Sequence, residues 1–228
     1  MRLQATLAFA ISVAIPGVVA ASGDSPMSPP ASAPSAQSPE LTPEQKAIGY
    51  YNDGVADRER ADKLEAESVK ETDAAKKAKL LEKSKRVHES AIKTFMRAVQ
   101  NDPNMFQAWG GLGYAYRKTG NYPQALEAYD KALALKDSYT PAIEYRAEAY
   151  LAVNRLNDVK SAYMTLFTAD RPRADELAAA METWVEKRKA DPAGVDPAAI
   201  DEFAKWVAER KQLASQTSSL RDPNASRW

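Results

Sequence analysis

From Leu41 onward the apolar residues recur every three or four positions, and no stretch sustains the alternation of a half-buried strand. A helix brings a side chain back to one face after 3.6 residues and a strand after two, so this spacing predicts an all-α fold. Helix starts are marked as well. Thr42-Pro43-Glu44-Gln45 places a capping threonine before a first-turn proline, with glutamine at the third helical position. Asn121-Tyr122-Pro123, Thr140-Pro141 and Asp196-Pro197 give similar start signals.

The segment before Leu41 has a different character. Met1-Arg2 carries one charge, and the chain is then mostly apolar from Leu3 to Ile15. Pro16-Gly17 interrupts that run, and Val19-Ala20-Ala21 follows. That is the layout of a secretory signal, expected to be cleaved after Ala21. The alternative is a retained anchor, but the apolar run is short against the ~20 residues of a spanning helix. Residues 22–41 are rich in Ser, Pro and Ala and have little to bury, so a disordered linker is expected. A flexible tail is expected over residues 215–228. The mature chain is accordingly read as periplasmic or secreted, with no stable membrane insertion after cleavage.

Composition removes several functions. Lys+Arg 31 balances Asp+Glu 31, which argues against a nucleic-acid partner, because phosphate neutralisation needs a basic excess. With no cysteine there is no disulfide, thiolate site or lipid-anchor cysteine. His88 is the single histidine, so there is no histidine pair for a metal. The glycines are scattered, and Gly110-Gly111-Leu112-Gly113 falls within a helical pattern rather than in a phosphate loop. No catalytic residue, metal site or cofactor is expected.

Internal periodicity is clearest in the middle of the chain. Trp109, Leu112, Gly113 and Tyr116 are followed by Ala125, Tyr129 and Ala132. This resembles the tetratricopeptide repeat, Trp-x2-Leu-Gly-x2-Tyr then Ala-x3-Phe, over about 34 residues. Tyr129 stands where Phe is usual, and Asp137 where the closing proline would be. Gly113 and Ala125 would be small because two helices cross there, with the aromatics filling the surrounding space. Upstream, Ala91, Phe95, Ala98 and Pro103 fit a second helix of the pattern. Downstream, Ala147 and Tyr150 fit a first helix, with the larger Val159, Tyr163 and Leu166 in its partner. The resemblance implies a short solenoid of antiparallel helix pairs over residues 42–173, with residues 174–214 as a helix-pair cap over its last face. Within that cap Leu177, Met181, Trp184 and Val185 form one apolar stripe and Ile200, Phe203, Trp206 and Val207 another.

The first repeat holds an insertion of about residues 57–88, charged, alanine-rich and free of Pro and Gly. It is read as an extension of both helices, turning near Glu71-Thr72-Asp73. Ala47, Tyr50, Gly54, Asp57, Ala61, Leu64 and Ser68 show coiled-coil spacing, as do Leu81, Ser84, His88, Ala91, Phe95 and Ala98. Pairing Gly54 with Ala91 sets Leu64 against Leu81, Ala61 against Ser84 and Asp57 against His88. The Asp57–His88 pair reads either as a pH-sensitive latch or as a polar pair that sets register.

In the family that the chain resembles, the first helices of the repeats line a concave groove. The matching positions here are Tyr51, Val55 and Arg58; Gln107, Gly110, Tyr114 and Arg117; and Glu144, Glu148 and Leu151. The implied groove is aromatic at its centre, with arginine to one side, glutamate to the other, and Gly110 and Gly111 leaving room for close approach. Such a groove suits an extended peptide or a helix of another protein. Tyr51 and Val55 stand where Lys and Asn would grip a terminal carboxylate, so that mode is not expected. The sequence thus reads as an exported interaction scaffold for envelope assembly or secretion. The alternative is a structural protein that forms a homodimer through the long hairpin.

Overall fold

The computed structural model describes residues 40–221, with side chains through Thr217; the signal-like segment and most of the linker lie outside the described residues. Eight helices follow in order among them: α1 Pro43–Lys70, α2 Ala74–Asn101, α3 Phe106–Lys118, α4 Tyr122–Leu135, α5 Thr140–Ala152, α6 Leu156–Ala169, α7 Arg171–Ala190 and α8 Pro197–Arg221. The described residues contain no strand. Each helix packs on the next, and the odd-numbered helices also touch in succession, so α1, α3, α5 and α7 form one inner row.

The 34-residue period is written in the backbone. α3 and α5 begin at Phe106 and Thr140, and α4 and α6 at Tyr122 and Leu156. The turns inside the two pairs repeat bond for bond. Asn121 N–H donates to the Tyr116 carbonyl at 2.9 Å, and Arg155 N–H to the Tyr150 carbonyl at the same distance. The residue before each donor has positive φ, Gly120 at 82° and Asn154 at 60°. This is the left-handed residue that closes a helix C-terminus, best supplied by Gly and next by Asn. Gly120 therefore has a counterpart that no sequence pattern for glycine would reveal.

Helix starts are less uniform than the sequence suggests. Thr42 forms the expected capping box, its hydroxyl accepting from Gln45 N–H and the Gln45 side chain accepting from Thr42 N–H. Asp196 accepts from Ala198 N–H at 2.9 Å. Asn121 makes no side-chain cap, and Thr140 lies inside α5 after Tyr139. The Thr140 hydroxyl donates instead to Asp170, at 2.7 Å, tying α5 to the start of α7. The C-terminal helix also outlasts its apolar stripe, running to Arg221 where a flexible tail from Ser215 was expected. Arg171 of α7 holds those added turns through the Ala214 carbonyl, at 2.7 Å, and the Thr217 hydroxyl, at 3.3 Å.

Where the pairs cross, small residues face rings. A methyl placed on Gly113 would stand 2.7 Å from the Tyr129 ring, and one on Gly54 or Gly111 would meet Phe95 at 2.7 or 2.6 Å. Phe95 thus lies between α1 and α3, fully buried, and fills both glycine notches. Trp109 packs between the clusters around Phe95 and Tyr129, and its indole N–H reaches the Pro103 carbonyl at 2.8 Å. That bond gives the polar edge of the indole a partner. Both cap tryptophans are packing residues: Trp184 meets Phe203 edge-on at 5.4 Å, and Trp206 meets Tyr163 at 5.6 Å.

The long hairpin turns over residues 71–73, with Asp73 capping α2 through Lys76 N–H. Two sequence pairings in it are corrected. Ser84 does meet Ala61, donating to its carbonyl at 3.0 Å. Leu81, however, is 45% exposed, and Leu80 packs against Ala61, Leu64 and Val87 in its stead. His88 does not face Asp57. Its Nε2 lies 3.3 Å from Glu65 and 3.8 Å from Asp62. Side chains lean toward the N-terminus of their own helix. In an antiparallel pair that lean carries His88 toward later residues of α1. Phe95 shows the same shift, reaching Gly54 from a position one turn beyond Ala91.

Candidate functional site

The residues expected in the groove stand on the inner row, and most of them join a network of aromatic and charged side chains. On α1, Tyr51 and Val55 pack beside Phe95, with the Tyr51 and Phe95 ring centres 6.1 Å apart. Arg58 follows, its guanidinium 5.5 Å from the centre of the Tyr114 ring. Tyr114 of α3 is the hub. Its hydroxyl donates to Asp62 at 2.7 Å, and its ring meets Tyr145 edge-on at 5.0 Å and His88 at 5.9 Å. Burial and the Asp62 carboxylate both push its hydroxyl pKa up, so it stays a donor. Arg117 lies over the rings of Tyr114 and Tyr145 and pairs with Glu148 of α5. Gln107 is half-buried on the same row.

Four placements differ from the sequence expectation. Leu151, 5% exposed, belongs to the core cluster with Ile143 and Tyr163, so its burial withdraws it from any partner. Gly110 leaves no empty notch: the Tyr139 ring occupies the space, 2.8 Å from where a methyl would be. Gly111 is filled by Phe95 in the same way. Glu144 is only 2% exposed and pairs with Arg173 of α7, so it is not an open groove acid. Burial pushes its carboxyl pKa up to about 8, working against the attraction of Arg173, and Glu176 adds to the upward push.

The structure adds Asp62, Glu65, Lys118, Tyr139, Tyr145 and Arg173 to this face. Asp62 and Glu65 continue the row of Tyr51, Val55 and Arg58 at the same helical spacing. That signal was present in the sequence, but the family pattern ends at the twelfth repeat position, whereas α1 runs on. Tyr139 precedes its helix and Arg173 comes from the cap, so neither lies in a groove position of any repeat.

Glu65 is a second hub. It pairs with Lys118, accepts from Ser84 at 3.2 Å, and meets His88 Nε2. A carboxylate only accepts, so Nε2 carries the hydrogen. Burial pushes the Glu65 carboxyl up, but the hydrogen bonds from His88 and Lys118 outweigh it and bring its pKa down to about 2. Each neighbouring pair in the inner row is therefore bridged: α1 to α3 by Glu65–Lys118 and Asp62–Tyr114, α3 to α5 by Arg117–Glu148, and α5 to α7 by Glu144–Arg173. Asp62, Glu65 and His88 also bring three ligand-type atoms within 4.8 Å. Lys118 already supplies the positive charge there, on one of the two carboxylates.

The match to a family model agrees with the period. The tetratricopeptide repeat family model matches residues 106–139, which is α3, α4 and their turn. Superkiller protein 3 of Saccharomyces cerevisiae is 35% identical over 63 residues, a stretch that makes up 28% of this chain and 4% of that protein. Among solved structures, the TPR2B-domain:pHsp70-complex of yeast Sti1 shares 14% identity. It covers 68% of this chain and 98% of its own, at a TM-score of 0.32.

Proposed function

For a tetratricopeptide-repeat protein with this inner row, we propose the role of an exported scaffold that binds an extended peptide or a helix of another protein along α1, α3 and α5. Tyr51, Val55, Arg58, Gln107, Tyr114 and Arg117 line the surface, with Glu148 closing one side. Envelope assembly or secretion is the process it serves, from the periplasm or outside the cell. The observation that carries the reading is the bridging of every neighbouring inner helix by named polar contacts. Side chains already held in place lose little freedom when a partner arrives, which lowers the cost of binding. The proposal includes no catalysis.

A photo-crosslinking residue at Gln107, in cells, tests the groove against the same residue at Gln124 on α4. A discrete adduct from Gln107 and none from Gln124 supports the inner face; equal yields at both refute it. Sequencing of the mature N-terminus tests export, with Ser22 as the expected first residue. A second reading has its own observation. Val69 is 62% exposed and Leu81 45%, both near the tip of the α1–α2 hairpin. Self-association through that tip would cover them. Light scattering that finds a monodisperse monomer at high concentration removes this reading.

A further inference from the structure

The inner face carries four cationic side chains, and three of them are already matched. Arg117 pairs with Glu148, Lys118 with Glu65, and Arg173 with Asp170 as well as with Glu144. Arg58 is the exception: among the described residues no carboxylate lies within ion-pair reach of it, and its buried Nε, like that of Arg117, has no hydrogen-bond partner. Asp62, one helical turn on, is the natural intrahelical acid. It is taken up by the Tyr114 hydroxyl and by His88. What surrounds Arg58 is aromatic. Its guanidinium stands over Tyr114, and its charge also acts on Tyr51, Tyr139 and Tyr145, opposing the larger effect of burial that raises their hydroxyl pKa values. The Tyr139 ring stands over Gly110, so these groups lie around the middle of the inner row. Burial keeps the hydroxyls of Tyr51, Tyr139 and Tyr145 protonated as donors, whereas that of Tyr114 already donates to Asp62.

An unmatched guanidinium among phenol donors is built to accept an anion. A guanidinium offers five N–H groups in a planar fork that suits a carboxylate. A partly desolvated setting strengthens such a bond. We propose that Arg58, standing over the Tyr114 ring, is the socket for an aspartate or glutamate side chain of the peptide bound in the groove. This rests on the reading of the inner row as a peptide-binding face and adds the chemistry of one anchor. An acidic side chain within a chain is favoured over a terminal carboxylate because the socket has one cation, with Tyr51 and Val55 on the turns before it. It is favoured over a basic or apolar side chain because either would leave the guanidinium unmatched.

Selection from a display library of random dodecapeptides, each embedded between flanking residues so that no free terminus is offered, tests the socket. The target is the full chain, run beside the variants Arg58→Gln and Arg58→Lys. The expected result is enrichment of Asp or Glu at one position of the selected peptides. Synthetic copies, capped at both ends, should lose about ten- to hundredfold in affinity on Arg58→Gln, the scale of a hydrogen-bonded charge. Changing the peptide acid to its amide should cost a similar factor, and the two changes together little more than either alone. Arg58→Lys should keep part of the affinity. Circular dichroism and the melting midpoint of Arg58→Gln should match the parent. Enriched peptides with no acidic preference, or equal binding by Arg58→Gln, overturn the socket and leave the groove standing. No enrichment at all sinks the groove reading and the socket with it.

Discussion

Replacing Gly113 with alanine adds one methyl group at the crossing of α3 and α4, and the geometry sets both the sign and the scale of the effect. The new Cβ would stand 2.7 Å from two carbons of the Tyr129 ring and 3.0 Å from a third. Carbon atoms in contact sit at about 3.5–4.0 Å, so the ring or the helix must move by nearly 1 Å. Tyr129 is fully buried. Overpacking of this kind costs about 1–3 kcal/mol. Alanine recovers about 1 kcal/mol over glycine in a helix interior. With the clash near the upper end of its range, the net loss is about 2 kcal/mol. Gly49 is the control, because a methyl there meets nothing within 4 Å. Gly49→Ala should therefore gain about 1 kcal/mol. At about 2–4 °C per kcal/mol for a chain of this size, the melting midpoint should fall by about 4–8 °C in the first variant and rise by about 2–4 °C in the second. Thermal melts followed at 222 nm read both. A background of Tyr129→Leu sharpens the test, since removing the ring should relieve most of the Gly113→Ala cost. If Gly113→Ala melts at or above the parent, or if the double variant is simply additive, the close-crossing argument fails.

Other perturbations follow from the same structure. Phe95→Ala empties the ring shared by Gly54 and Gly111, and urea unfolding should show a loss of about 3–5 kcal/mol. Glu65 has a folded pKa of about 2 against an ordinary 4.5, so its contribution is complete above pH 4.5 and is lost as pH falls toward 2. At 1.36 kcal/mol per unit this is about 3 kcal/mol, and Glu65→Gln should flatten the acid limb of stability against pH. Glu144 runs the other way. With its folded pKa near 8, the folded state keeps a proton that the unfolded state has released above pH 4.5, so stability falls as pH rises from 4.5 to 8. Glu144→Gln should remove that fall, and melts from pH 5 to pH 9 that keep the parent's slope would refute the assignment.

The helices and their class could be read from the spacing of apolar residues, because burial on one face leaves a period that tertiary contacts cannot disguise. The repeat was legible for a related reason. Gly113 and Ala125 are small because a neighbouring helix passes over them, and a pattern of small and aromatic residues records that crossing. The groove row on α1 was legible as far as Arg58 and could have been followed to Asp62 and Glu65 by continuing the helical step.

What the sequence left undecided depends on direction and on distance along the chain. The partner of His88 turns on the backward lean of helical side chains, which moves its contact from Asp57 to Glu65 and Asp62. Leu80 and Leu81 are adjacent leucines, and only the path of α2 across α1 buries one and exposes the other. Glu144 looks like an open acid until Arg173 arrives from the cap, and Gly110 looks vacant until Tyr139 folds over it. Periodicity reports which residues share a face. Which of them are spent on one another, and which, like Arg58, are left to meet something else, is set by neighbours far away in the chain.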